Sequence, residues 1–312
     1  LGKGQIMTQT VLVLGASGLF GGQAARAFAA AGWTVRKYQR GTDMALAAEG
    51  ADVIVNGLNP PNYHAWDRLI PEITRQAIAA GLASGATVLV PGNVYVYGVE
   101  PGPWGPNTQH RPASRKGAIR ARMESDYRAA SEQGLHVIVL RGGDFIEPNS
   151  PKSFWNMVVL KSVAKGRIQT ASPAPVTRAY AYLPDMARAA VALADRRADL
   201  PAFTDMPFAG YTMSMADLAA TLERMTGQRM RLTAFPWWAM RILSPFWELA
   251  RELTEMRYLF NHSHALDPAP LGLTLPEFHL TPLEEVLRQE LAVLAPATPM
   301  VQGKLSTAQT GR

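Results

Sequence analysis

The sequence predicts an α/β protein: a doubly wound parallel sheet followed by a smaller, mostly helical C-terminal unit. Three observations carry this. Short apolar runs alternate with alanine-rich segments through the first half of the chain, a glycine-rich turn joins the first such pair, and prolines break up the alternation after Phe145.

Thr10 to Leu14 is a β-branched and apolar run that stops at Gly15, as a buried strand does. The alanine-rich Gln23 to Ala31 reads as a helix that Gly32 ends. Thr34 to Tyr38, Ala51 to Asn56, Ala86 to Pro91 and His136 to Leu140 read as further strands. Pro71 to Ala83 and Arg120 to Gln133 are the helices between the later ones. Strands alternating with helices imply right-handed crossovers and a parallel sheet covered on both faces. Gly41 to Gly50 is too short for a full strand-plus-helix unit, so one element there is expected to be missing or reduced to a turn.

Beyond Phe145, Asp185 to Ala194 and Ser214 to Thr226 read as helices, the second with Ser214 as N-cap and Gly227 as stop. From Phe246 onward, Leu249, Leu253, Met256 and Phe260 recur at helical spacing and read as a packing face. Thr281 to Leu294 is the last helix. Residues 7–150 thus form one domain with a return segment near 176–202, residues 151–294 a second, and residues 295–312 a flexible tail.

With 312 residues, 47% hydrophobic and 18% charged, the chain can build one large or two modest cores. That composition excludes a disordered or collagen-like chain. The absence of cysteine removes disulfides, thiolate nucleophiles, iron–sulfur clusters and Cys-ligated zinc. The formal charge of +6 suits a phosphate-bearing ligand, but its spread argues against a nucleic-acid groove. Arg111, Arg115, Lys116, Arg120, Arg122 and Arg128 do gather, yet Glu124 and Asp126 interrupt them and no stacking aromatics run among them. That stretch reads as a solvated helix face.

No segment reaches the about 18 apolar residues of a membrane span. The best candidate, Phe235 to Phe260, is broken by Pro236, Arg241, Pro245, Glu248 and further charges. No charged-then-apolar signal precedes Met7, and Leu1 to Ile6 is left outside the fold. The expectation is a cytoplasmic protein with a small-molecule substrate, a possible homodimer, and no nucleic-acid or membrane partner.

Gly15-Ala-Ser17-Gly18-Leu19-Phe20-Gly21-Gly22 follows a strand and opens a helix. Gly15 permits the tight turn, Gly18 lets backbone approach a pyrophosphate, and Gly21 allows close helix–strand packing. The helix terminus offers unpaired N–H groups to phosphates. This strand, turn and helix in order predict a Rossmann-type dinucleotide site. A carboxylate at the end of the second strand would hold a ribose 2′-hydroxyl, but here Arg36, Lys37, Tyr38, Gln39 and Arg40 follow Val35, and the first acid is Asp43. A guanidinium would instead pair with a 2′-phosphate. Arg40 is the first candidate and Arg36 the second, so NADP(H) is preferred over NAD(H).

The glycine turn, ADVIVNGLNP, VLVPGNVYVYG, LRGGDFIEP and TRAYAYLPDMARAAVAL together resemble the extended short-chain dehydrogenase/reductase superfamily, of the NAD-dependent epimerase/dehydratase type. The likeness runs from about Thr10 to Leu291 and implies a Rossmann domain with a small substrate domain. It places Gly57 and Leu58 near the cofactor, and Pro91, Gly92 and Asn93 near the nicotinamide. Relatives depend on a Ser or Thr with Tyr-x-x-x-Lys, the tyrosine exchanging a proton while hydride moves at the nicotinamide. None of the seven lysines here follows a tyrosine by four residues. Lys116 falls at the tyrosine slot, Arg120 at the lysine slot, and Asn93 at the Ser/Thr slot, so the chain resembles an atypical member.

A replacement acid/base set is open among four residues. Lys116, beside Arg115 and Arg120, would have its pKa lowered by like charge and burial and could move a proton near neutrality. Asn93 could donate to a carbonyl oxygen. Tyr95 and Tyr97 are alternative proton donors, though alternation along a strand would let only some of Asn93, Tyr95 and Tyr97 face the site. Arg178 and Tyr180 resemble the loop where relatives hold an anionic substrate group, the alternative for Arg178 being a salt bridge. Asp144 reads as shaping a turn. Asn261-His262-Ser263-His264 lacks carboxylates at ligand spacing and reads as exposed histidines, so no metal is expected. No nucleophile elbow or Walker A loop is present. The function expected is NADP(H)-dependent oxidoreduction of a small carbonyl, hydroxyl or nucleotide-sugar substrate. The alternative is a dinucleotide-binding sensor or scaffold that has lost catalysis.

Overall fold

A computed structural model of the chain describes residues 8–148, 150 and 153–294. The expected tail and Leu1–Ile6 lie outside the described residues. The chain opens with β1 (Thr10–Leu14), α1 (Leu19–Ala30) and β2 (Thr34–Lys37). A single helical turn, α2 (Met44–Ala48), leads to β3 (Val53–Asn56). Gly41 to Gly50 therefore supplies a short helix and no strand, as its length required. Then come α3 (Trp66–Ser84), β4 (Thr87–Gly92), α4 (Arg115–Ser131) and β5 (Val137–Arg141).

Two helices start well ahead of their expected positions. α3 begins at Trp66, whose indole is buried and donates to the Pro60 carbonyl at 3.2 Å. α4 begins at Arg115 because the Ser114 hydroxyl caps it, accepting from the Gly117 amide at 3.0 Å. That earlier start puts Lys116 and Arg120 one turn apart on the same helix, and both are buried. The expected strand alternation at 93–97 is corrected: Val94–Tyr97 is a tight helical turn capped by Asn93, whose Oδ1 accepts from the Tyr95 amide at 3.0 Å.

The carboxyl half continues with β6 (Asp144–Ile146), β7 (Arg167–Thr170), β8 (Arg178–Tyr182), α5 (Leu183–Asp195), β9 (Phe203–Pro207) and β10 (Tyr211–Met213). It ends with α6 (Met215–Thr226), β11 (Arg231–Ala234), α7 (Trp237–Leu243), α8 (Glu248–Glu255), α9 (Arg257–Phe260), α10 (Ala269–Thr274) and α11 (Leu283–Leu294). α6 has the expected Ser214 cap, completed by Asp217 as a capping box, and stops at Gly227. The apolar stripe from Leu249 to Phe260 is split between α8 and α9 at Met256.

The main sheet is parallel, in the order β2-β1-β3-β4-β5-β9. β3, β4 and β5 are almost wholly buried, as continuous apolar runs covered on both faces must be. β9 has no counterpart among the expected strands, because Asp205 and Pro207 interrupt its apolar pattern. One face packs under α1 and α5, with Phe28, Leu183 and Met186 in its core. The other packs under α2, α3 and α4, with Trp66, Ile70, Met123 and Tyr127. The smaller lobe joins β10-β8-β6 and β11-β7 to its helices around Ile146, Trp155, Tyr180, Leu218 and Leu287. Among the described residues no helix is long and apolar enough to cross a membrane.

The chain steps from β2 across β1 to β3, so strand order reverses between the carboxyl ends of β1 and β3. In such sheets that crevice is where ligands bind. On the far side, Arg141 at the end of β5 is fully buried and donates to Glu124 of α4 (2.6 and 3.0 Å), Asp205 of β9 (2.8 and 3.1 Å) and the Asn93 carbonyl (2.7 Å). Burial opposes its charge, but the two carboxylates more than offset this and hold the guanidinium pKa well above its usual value. One side chain thus ties together β5, β9, α4 and the turn after β4.

His264 is buried, not exposed as expected. It stacks on Trp104 at 4.8 Å, with His262 stacked on the same indole at 5.9 Å, and its Nδ1–H donates to the His262 carbonyl at 2.9 Å. Burial pushes its pKa down from 6.5 to about 4. The unfolded chain therefore takes up a proton below pH 6.5 that the folded one refuses. This contribution to stability is complete above that pH and lost as the pH falls, reaching on the order of 3 kcal/mol at its full extent. His264→Phe should flatten the drop in urea midpoint between about pH 7 and pH 4.5, and an unchanged drop would refute the assignment.

Candidate functional site

Where β1, α1 and β3 meet, the main chains touch. Gly15 has φ +75°, and a Cβ there would stand 2.8 Å from the Gly57 carbonyl oxygen. A Cβ on Gly21 would fall 2.3 Å from the Gly15 oxygen, and one on Gly57 only 3.1 Å from the Gly21 Cα. Gly15 and Gly21 are required by packing, and a Cβ at Gly57 would make the neighbouring main chain give by a few tenths of an ångström. Gly18 is different: its added Cβ would meet only the Gly15 oxygen at 3.2 Å and the Gly57 oxygen at 3.9 Å. Extended backbone at Gly18 caps α1 with no side-chain hydrogen bond, and no acid stands in the first turn. The first-turn amides of α1, at Leu19, Phe20 and Gly21, therefore have no competing carboxylate, and Ser17 and Gly18 are exposed beside them. This cradle fits a diphosphate. Leu58 and Pro91 flank Gly57 around a small cavity that Arg120 also lines.

At the end of β2 the two candidate arginines part. Arg36 is committed, its Nη2 donating to the Glu49 carbonyl at 2.8 Å. Arg40 is exposed on the following turn and makes no hydrogen bond or ion pair among the described residues. That turn is shaped by Tyr38 and Thr42, donating to the Thr42 and Gln39 carbonyls at 2.6 and 2.8 Å. Asp43, the nearest acid, is used as the cap of α2, accepting from the Leu46 amide at 3.0 Å.

Lys116 is completely buried. Its ammonium touches Glu252 and reaches Glu255 at 2.6 Å, both on α8, and lies 5.1 Å from the centre of the Tyr63 ring. The like-charge expectation is therefore corrected: the charges closest to Nζ are carboxylates. Arg115 turns to Glu252 at 2.9 Å, and Arg120 turns to Asn59 at 3.0 Å and to the Trp66 ring at 4.8 Å. Burial raises the Glu252 carboxyl, but the hydrogen bonds and charges of Lys116 and Arg115 outweigh it and hold the pKa below its ordinary value.

The Tyr95 hydroxyl lies 3.2 Å from that of Tyr63. Burial pushes both phenols upward, Tyr95 the further, so both keep their protons at neutral pH. Tyr63 sits on a loop with three non-glycine residues in left-handed conformations: Asn62 (φ 55°), Tyr63 (62°) and Ala65 (48°). Each costs on the order of 1–3 kcal/mol and persists only where its surroundings enforce it. Here the Lys116 ammonium, the Tyr95 hydroxyl and the Trp66 ring, 5.0 Å away, hold Tyr63 in place. A cavity of about 90 Å³ beside Tyr63, Trp66, Lys116 and Glu252 has room for a few waters.

The other candidates stand apart. Tyr97 is buried beside Arg141, its hydroxyl donating to the Gly105 carbonyl at 3.3 Å. Asn93 caps the turn that carries Tyr95. Arg178 forms an ion pair with Asp144 at 2.6 Å and lies 4.0 Å from the Phe260 ring centre. Burial raises the Asp144 carboxyl while Arg178 draws it back. Tyr180 is buried against Trp155 at 5.5 Å, and burial pushes its hydroxyl up. Among the described residues, the cluster with metal-ligand types is His110, Glu124 and Asp205. The Arg141 guanidinium bridges its two carboxylates.

No protein-family model matches the sequence, and no curated protein matches it. Solved structures do. MoeE5 in complex with UDP-glucose and NAD is 16% identical with a TM-score of 0.72, covering 91% of this chain and 98% of that one. The UDP-glucuronic acid 4-epimerase of Bacillus cereus, in complex with UDP-glucuronic acid and NAD, is 14% identical (TM-score 0.71; 92% and 99%). TunA, an NAD-dependent NDP-hexosamine 5,6-dehydratase, is 18% identical (TM-score 0.69; 92% and 97%). The chain shares the fold of these NAD-dependent epimerase and dehydratase structures. At such identities the likeness is one of fold, and the chemistry must be argued from this chain's own residues.

The residues that sequence reasoning did not single out are Tyr63, Glu252 and Glu255. Two prolines and an asparagine before Tyr63 mark a turn, but nothing local announces that its hydroxyl meets Tyr95. Glu252 and Glu255 stand on the helix read as a packing face. Lys116→Met should cost about 1–3 kcal/mol, because buried Glu252 loses its buried partner and keeps only the more exposed Arg115 and Arg251, and adding Glu252→Gln should recover part of that loss. Strictly additive losses in urea denaturation would disprove the pairing.

Proposed function

We propose that this protein is a nicotinamide-dinucleotide-dependent oxidoreductase of the epimerase/dehydratase kind, preferring NADP(H), with a small carbonyl, hydroxyl or nucleotide-sugar substrate. The observation that carries the reading is the glycine cradle at the strand-order reversal, with unopposed amides at the start of α1. The residues to hold the diphosphate are Gly15, Ser17, Gly18, Leu19, Phe20 and Gly21, with Gly57, Leu58 and Pro91 along the nicotinamide half. Arg40 is the residue for a 2′-phosphate, since Arg36 is engaged and Asp43 is spent on a cap. When bound, the nicotinamide supplies hydride transfer.

The chain's own contribution is the proton. Tyr95 can give its hydroxyl hydrogen to a substrate oxygen, with Tyr63 beside it to pass one on. Lys116, fixed by Glu252 and Glu255, holds the Tyr63 ring from one face and is a positioning residue in this reading. Asn93 sets the turn bearing Tyr95. Arg178 is the residue for an anionic substrate group, reached by exchanging its contact with Asp144, and Tyr180 lies beside it in β8. A second reading, an NADP(H)-binding sensor or scaffold without catalysis, is favoured by the clamp on Lys116.

Calorimetric titration tests the cofactor. NADPH should bind more tightly than NADH, and Arg40→Ala should weaken NADPH about tenfold or more while changing NADH less than about twofold. Equal losses would remove the 2′-phosphate argument, and no heat with either dinucleotide would remove the cradle.

Tyr95→Phe should lower NADPH consumption with a responsive aldehyde, ketone, quinone or nucleotide sugar by about 100-fold or more while leaving NADPH affinity intact. Undiminished turnover would exclude Tyr95 as the proton donor. Absence of turnover across the panel, together with NADPH-dependent changes in oligomeric state, would favour the sensor.

A further inference from the structure

Five large apolar side chains within ten residues are open to solvent: Trp238 (71% exposed), Ile242 (63%), Leu243 (40%), Phe246 (90%) and Trp247 (46%). No residue of α7 is fully buried. The helix is fastened by Trp237, whose indole donates to the Ala171 carbonyl at 2.8 Å and whose ring meets Phe235 at 4.9 Å and Phe260 at 5.3 Å. Trp238 and Ile242 are one turn apart and share the outward face with Arg241 between them. The amides of Phe246 and Trp247 bond back to the Leu243 carbonyl at 3.0 and 2.8 Å, which holds the turn that carries both rings at the end of the helix. Monomeric proteins rarely leave such a contiguous patch uncovered.

The charge inside the patch has one sign. No acid occurs from Phe235 to Trp247, and Arg241 is exposed in its middle. Arg229, Arg231, Arg251 and Arg257 on the neighbouring elements are exposed, Arg251 standing 3.5 Å from Glu252. The nearest acid, Glu248, is taken up by His64 at 3.1 Å. A two-fold contact with a second copy would set this patch against itself and bring Arg241 toward its twin with no carboxylate between Phe235 and Trp247 to pair with either. Lipid phosphates supply the missing negative charge, and tryptophan, phenylalanine and arginine on one short amphipathic face are the composition that lies in a headgroup layer.

We propose that α7 and the turn after it dock this protein on an anionic lipid surface, with Trp238, Ile242 and Phe246 entering the acyl boundary and Arg241 on the phosphates. The full chain should sediment with vesicles of equal parts phosphatidylcholine and phosphatidylglycerol, much less with phosphatidylcholine alone, and its tryptophan emission should shift to the blue. Trp238→Ser with Phe246→Ser should weaken this about tenfold or more, as should Arg241→Glu on its own. All three side chains are exposed, so melting temperature and NADPH titration should stay at wild-type values. No sedimentation of the wild type would overturn the proposal. So would equal binding to both vesicles, or binding that neither variant reduces. A dimer in solution that these substitutions dissolve would overturn it in favour of a self-interface.

Discussion

Three peptide backbones in contact, at Gly15, Gly21 and Gly57, set the geometry on which the rest of this protein depends. A methyl group on Gly15 or Gly21 would collide with the main chain of Gly57 or Gly15, and one on Gly57 would press on that of Gly21 at 3.1 Å. Their closeness brings the start of α1 over the carboxyl edge of β1 and β3, where the strand order reverses and a crevice opens. Gly18, where a Cβ would come no nearer than 3.2 Å to the Gly15 oxygen, leaves that crevice approachable. The two kinds of glycine answer to different demands, one of packing and one of access.

Around this fixed point the buried charges are arranged in closed groups. Arg141 satisfies Glu124 and Asp205 and joins four elements behind the sheet. Lys116 is enclosed by Glu252 and Glu255 across the lobes. Such groups stabilise little in net terms but are costly to break from one side, so they fix which elements meet. The second group has a further effect. By holding the ammonium over the Tyr63 ring, it helps keep a strained loop in a conformation that two of its residues, Tyr63 and Ala65, would not choose alone.

The smaller lobe combines an aromatic interior with an aromatic exterior. Phe260 lies against the Arg178 guanidinium, and Phe154, Phe235 and Trp237 close a ring of contacts with it. α7 continues that group onto the surface. The wall beside the Asp144–Arg178 pair and the exposed patch are thus two ends of one cluster.

Local signals in the sequence were sufficient for β1, the glycine turn and α1, for the buried strands β3 to β5, and for the cap and stop of α6. Apolar periodicity, turn glycines and capping hydroxyls act over a few residues, so their outcome is written where they stand. The missing Tyr-x-x-x-Lys was likewise plain from the order of residues. What Lys116 became was not, because its partners lie more than a hundred positions away on α8. The same holds for Tyr63 against Tyr95, for Asp205 under Arg141, and for His264 stacked on Trp104. Burial and charge pairing depend on which elements the completed fold brings side by side, and only the tertiary structure decides that.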